Sequence, residues 1–242
     1  MDALMRTFVI ALLMCISSAS AWAAQVAIII DDMGHHRSNQ RFIELSAPAA
    51  PLTFSFLPYT AYAAEQAQQA ATAGYEVMLH LPMASGPHHD AGIDALQLNE
   101  SQEELVARMN AALARIPQAR GVNNHMGSLL TTNVAAMKSV MNELANRELF
   151  FIDSRTTAET VAEATARSIG VPTARRHVFL DHERTPEGLS KAWEELLKQA
   201  VARGFAVAIA HPHDLTYDFL REHLGELDQR GIRLVPASEL TR

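Results

Sequence analysis

Gln25-Val-Ala-Ile-Ile-Ile30 is an apolar, β-branched run that stops at Asp31-Asp32. Such a run reads as a buried strand, and the two adjacent carboxylates that end it repel each other unless a cation or a proton relieves one of them. The pattern recurs along the chain. Glu76-Val-Met-Leu79 stops at His80, Gly121-Val-Asn-Asn124 at His125, and Leu149-Phe-Phe-Ile152 at Asp153. His177-Val-Phe-Leu180 stops at Asp181-His182, and Phe205-Ala-Val-Ala-Ile-Ala210 at His211-Pro-His213. Helical patterns fill the intervals at 59–73, 101–116, 132–147, 156–169, 185–204 and 214–230, and a short strand at 233–235 follows. Ser101-Gln-Glu-Glu104 is a capping box, and Thr185-Pro186 is an N-cap with proline at the first helical position. Strand and helix alternate without a Pro/Gly/Ser linker, which predicts one domain over 24–242. Its expected form is an irregular seven- or eight-stranded parallel β/α barrel. In that architecture the carboxyl ends of the strands share one rim, and the six polar stops meet there.

The chain of 242 residues is 48% hydrophobic and carries a net charge of −7, which argues against a nucleic-acid partner. Residues 1–23 have the three parts of a secretory signal: Arg6, the apolar run Phe8 to Ile16, and Ala21-Trp-Ala23 as an A-x-A site. Cleavage after Ala23 is expected, leaving no stable membrane span. The single cysteine, Cys15, leaves with that segment. Thiolate sites and disulfides are then excluded, and the expected location is the bacterial periplasm.

The candidate site follows from the polar stops. Of Asp31 and Asp32, one can hold a metal while the other acts as general base, and a helix-capping pair is the competing reading. Both reach one pocket only if the chain turns, which Met33-Gly34 permits. His80 and His125 are candidate ligands that could otherwise be core or loop histidines. Around His125, the polar cluster Asn123-Asn-His-Met-Gly-Ser128 makes Asn124 and Ser128 candidates for substrate contact. His211 is the candidate proton donor, with His213 as the alternate, because strand alternation turns one of them inward. Asp153 and Arg155 either hold a functional histidine in place or pair with each other. Asp181-His182 reads as a loop cap. His35-His36 and His88-His89 read as solvated surface.

Taken together, Ile30-Asp-Asp-Met-Gly34, His80-Leu-Pro-Met83, Asn123 to Ser128, Phe151-Ile-Asp-Ser-Arg155 and Ala208 to His213 resemble the divergent polysaccharide deacetylase family. The resemblance spans nearly all of residues 25–240. It implies a polysaccharide-deacetylase-like barrel, a Zn-type site and a polysaccharide or peptidoglycan-type substrate. By the same resemblance Asp31 is the base, Asp32 a ligand, His80 the first ligand histidine and His211 the acid. Better-known deacetylases space their two ligand histidines as His-x-x-x-His. Here the second position is Ala84, so His125 on the next strand is expected to complete a site for zinc or another divalent transition metal. The Arg-Pro-x-Tyr-like motif that helps bind the oxyanion is also missing. The expected activity is metal-dependent removal of acetyl groups. The alternatives are an inactive glycan-binding or envelope-accessory protein, and an amidase or phosphoesterase built on the same site.

Overall fold

The computed structural model describes residues 24–45, 51–86 and 88–242. The expected signal segment lies outside them. Strands β1 (Ala24–Met33), β2 (Thr53–Phe56), β3 (Glu76–Met83), β4 (Gly121–Met126), β5 (Phe150–Asp153), β6 (Thr173–Arg175), β7 (Val178–Phe179), β8 (Phe205–Ala210) and β9 (Ile232–Leu234) form one sheet. Its order is β6-β5-β4-β3-β2-β1-β8-β7, and every pairing is parallel. β9 pairs with the first half of β1, and β2 with the second half. Helices α1 (Gln40–Leu45), α2 (Ala63–Thr72), α3 (Gln102–Arg115), α4 (Val134–Asn146), α5 (Ala162–Ile169), α6 (Pro186–Arg203), α7 (Asp214–His223) and α8 (Glu226–Gln229) connect the strands. The result is the expected parallel β/α barrel, with nine strands where seven or eight were expected, curled and open between β6 and β7.

Two short strands lie outside the apolar runs of the sequence. β2 alternates Thr53 and Ser55 with Phe54 and Phe56, and all four residues are buried. β6 is only Thr-Ala-Arg. Some helix limits also move. The stretch 59–62 turns before α2 begins, and 156–161 turns before α5. The helix expected over 214–230 is divided into α7 and α8 around Gly225.

The two faces of β1 explain its unbroken apolar run, as expected for a strand covered on both sides. Val26, Ile28 and Ile30 pack in the larger core with residues of the helices. Ala27 and Ile29 pack in a smaller core with Met78, Ile152, Val207 and Ile209, which is the barrel interior. Side chains alternate along a strand, so interior parity reaches Asp31 on β1, His80 on β3, Asn123 and His125 on β4, and His211 after β8.

Asp32 has the wrong parity and is redirected. Ile30 pairs with Phe54 and Met33 with Phe56, so β1 carries one extra residue here. This is a bulge, and Asp32 sits in it with φ of 53°. The turn therefore falls on Asp32 itself, one residue before the expected Met33-Gly34. Gly34 follows at φ 101°, where an added Cβ would lie 2.4 Å from Thr60 Oγ1 and 2.8 Å from Ala63 Cα. Gly34→Ala is expected to lower stability by about 1–3 kcal/mol, since it meets both strain and a clash. Urea unfolding measures this, and an unchanged midpoint would contradict the close packing of this turn.

Candidate active site

Three atoms converge at the mouth of the barrel. Asp32 Oδ1 lies 3.2 Å from His80 Nε2 and 3.1 Å from His125 Nδ1, and the two imidazole nitrogens are 3.1 Å apart. Asp32 Oδ1 is buried and has no aligned hydrogen-bond donor, although both rings are within reach. The three atoms surround a common centre, and the two ring nitrogens are also within hydrogen-bond distance of each other. Ligand atoms about 2.0–2.1 Å from one ion at tetrahedral angles are about 3.3–3.4 Å apart, close to the spacing here. One carboxylate oxygen and two imidazole nitrogens are a donor set that suits zinc and its divalent neighbours. The residues present therefore fit a metal ion, with His125 where the sequence pattern needed a substitute for Ala84.

Asn123 organises this triangle. It sits opposite His80 in the β3–β4 register. Its Oδ1 is 2.8 Å from His80 Nδ1 and also accepts from Ser55 Oγ at 2.7 Å. An amide oxygen can only accept, so His80 carries its proton on Nδ1 and turns the Nε2 lone pair to the centre. The Asn123 amide nitrogen donates to Asp31 Oδ1 at 2.8 Å and Oδ2 at 3.0 Å. From sequence alone Asn123 belongs to the polar cluster around His125 with no task of its own. The signal available was its interior parity one step from His125.

Asp31 is 2% exposed and stands beside the triangle, with Oδ2 3.6 Å from His80 Nε2. Burial raises its pKa above the usual carboxylate value, more than His80, His211 and Asn123 lower it. Burial also opposes charge on Asp32, but His125 and His80 outweigh it and hold that carboxyl well below the usual range. His80 is moved upward, because Asp31 and Asp32 overcome its burial.

Across the mouth, His211 is held by Asp181. Asp181 Oδ1 is 2.9 Å from His211 Nδ1, and Oδ2 accepts from the His211 backbone N–H at 2.6 Å and from Thr216 Oγ1 at 2.9 Å. Burial pulls the imidazole down, yet Asp181, with Asp31 and Asp32 behind it, pushes its pKa up to about 9. Asp181 is thus more than the loop cap expected: it fixes the ring and its charge. The His213 ring is 6.0 Å from the His211 ring and forms no ion pair among the described residues, and burial lowers its pKa.

Other expected residues serve the frame. Asp153 shares the parity of Phe151, which packs in the larger core with the helices, and not that of Ile152. Its carboxylate accepts from Arg155 N at 2.8 Å, Thr160 Oγ1 at 2.9 Å and Glu163 N at 3.3 Å, organising the turn into α5. It neither contacts a functional histidine nor pairs with the Arg155 guanidinium. Asn124 is buried, donating to Met126 O at 2.7 Å and accepting from Ser154 N at 2.9 Å, so both ends of its amide are engaged within the fold. Ser128 donates from Oγ to Thr156 O at 3.3 Å, and its N–H donates to Ser85 Oγ at 3.1 Å. His35, His36, His88 and His89 are exposed, although His35 lines a cavity of about 330 Å³ that reaches His125. Arg176, unassigned in the sequence reading, crosses the gap between β6 and β7. It donates to Ser154 O at 2.6 Å and Arg155 O at 2.7 Å and lies 3.6 Å over the Phe179 ring.

A parallel barrel with paired acids and imidazoles at the carboxyl rim defines a deacetylase-like β/α protein. The family model for divergent polysaccharide deacetylases matches residues 28–241, and the chain belongs to that family. It is 34% identical over 223 residues to the uncharacterized protein YibQ of Escherichia coli K12, covering 92% of this chain and 69% of that one. Its fold is similar to that of the uncharacterized protein ATU2773 from Agrobacterium tumefaciens C58, with a TM-score of 0.85, 24% identity and coverage of 90% and 89%. It is also similar to the chitin deacetylase of Colletotrichum lindemuthianum, with a TM-score of 0.54, 14% identity and coverage of 90% and 87%.

Proposed function

We propose that this protein is an exported, metal-dependent hydrolase that removes acetyl groups from a chitin-type or peptidoglycan-type glycan. The observation that carries this reading is the 3.1–3.2 Å triangle of Asp32, His80 and His125, flanked by Asp31 and by the Asp181–His211 pair. Asp32, His80 and His125 would hold the ion, zinc or another divalent transition metal. A bound ion would polarise the acyl oxygen and lower the pKa of a water.

The protein's own groups do the proton work. Asp31 is fixed by the Asn123 amide and destabilised as an anion by burial, which makes it a stronger base than a solvated carboxylate. It takes the proton from the attacking water. His211 is protonated at neutral pH, and with Nδ1 engaged by Asp181 it offers the Nε2 proton to the leaving amine or alkoxide. The signal-like segment at 1–23 supports export. Metal-loaded protein is expected to release acetate from acetylated glycans. Loaded protein that binds these glycans and releases none would instead favour a glycan-binding role.

The Asp181–His211 pair makes a pH prediction. His211 must be protonated to act, so activity is expected to fall as pH rises through about 9. Asp181→Asn removes the anion that favours the imidazolium, so the His211 pKa falls and the alkaline limb moves to lower pH. A pH–rate profile reads this, and an unmoved limb would remove His211 from the acid role.

A further inference from the structure

Arg155 has no task in the mechanism above, and its setting is unusual. Five non-glycine residues of the described chain have positive φ, and Asp32, Met126 and Arg155 are the ones at the rim. Each directly follows a position of interior parity: Asp31, His125 and Ser154. Arg155 has φ of 49° and is held on both sides. Its N–H donates to Asp153 Oδ1 at 2.8 Å, and its carbonyl accepts from Arg176 at 2.7 Å. Residues held at positive φ in this way cluster at functional sites.

The charges around it are otherwise satisfied. Asp32 meets His80 and His125, Asp31 meets Asn123, and Asp181 meets His211. The Asp153 carboxylate is taken by backbone and hydroxyl donors of its own turn. Arg176 is committed to two carbonyls and the Phe179 ring. The half-buried Arg155 side chain has no hydrogen bond or ion pair among the described residues, and the charged groups that feel it are Asp153 and Arg176. Arg155 is thus a cation without a hydrogen-bond partner on the rim turn that follows β5. Its planar fork matches a carboxylate.

We propose that Arg155 is a specificity residue whose guanidinium receives a carboxylate carried by the glycan near its acetylated group, so that the preferred substrate is an acidic glycan. This rests on the glycan reading of the site. The test compares binding of two tetrasaccharides of equal length: a neutral chitin fragment, and a peptide-free peptidoglycan fragment bearing lactyl carboxylates. Calorimetric titration in the Asp31→Asn background keeps both probes intact. The acidic probe is expected to bind about 10–100-fold more tightly, the range for a charge-assisted pair. The preference should shrink with added salt. Arg155→Ala should erase most of it and Arg155→Lys should restore part. If alanine at this strained position prevents folding, Arg155→Gln retains length without charge and is expected to lose the preference equally. Equal binding of both probes, or a preference that survives Arg155→Ala or Arg155→Gln, overturns the inference alone. Binding of neither probe overturns the glycan reading and the inference with it.

Discussion

Asp31→Asn is expected to lower acetate release by about 10²–10⁴-fold, the usual cost of losing a general base. Metal content should stay near that of the native protein, because Asp31 stands outside the Asp32–His80–His125 triangle. The substitution is close to isosteric and removes a buried charge, so the fold should persist. Asn123 would then face an amide that accepts through one atom only, where it now donates to both carboxylate oxygens. That mismatch is expected to cost about 1–3 kcal/mol of stability. Circular dichroism, metal analysis and acetate release on the same sample separate these effects. Activity within threefold of the native protein would move the base elsewhere.

The second large effect concerns the metal. Asp32→Ala removes the only carboxylate of the triangle, and His125→Ala removes the imidazole that stands in for the position of Ala84. Either substitution is expected to abolish stoichiometric metal. Asn123→Ala leaves all three ligands in place but frees the His80 ring and its tautomer. It is expected to weaken binding about 10–100-fold, as loss of such a supporting hydrogen bond does. Binding should also weaken as pH falls, because protons compete for the same imidazole lone pairs. Full metal content in His125→Ala would exclude that histidine and leave the spacing around Ala84 without an answer.

The parallel fold is legible because β1, β3, β5 and β8 are covered on both faces and carry apolar runs. β2 was harder, since Thr53 and Ser55 interrupt it. Both are buried at interior positions where they bond Glu76 and Asn123. The polar stops located the rim correctly, but a strand end has two faces. Parity separates Asp181 and His211 from Asp153, and it becomes readable only once Met78, Ile152, Val207 and Ile209 are known to share the interior. Asp32 breaks even that rule through the bulge in β1. Arg176 left no motif, because its role is to close a gap between two strands that adjoin in sequence without pairing.

The central claim is that Asp32, His80 and His125 hold a divalent ion. Crystals grown with zinc and measured at its absorption edge test it most directly. One anomalous peak per chain is expected, bounded by Asp32 Oδ1, His80 Nε2 and His125 Nδ1. The second acid–imidazole group, Asp181, His211 and His213, supplies the competing position. No ion at the first triangle at saturating zinc would contradict the metal site, and an ion at the second group instead would contradict the acid role of His211 as well.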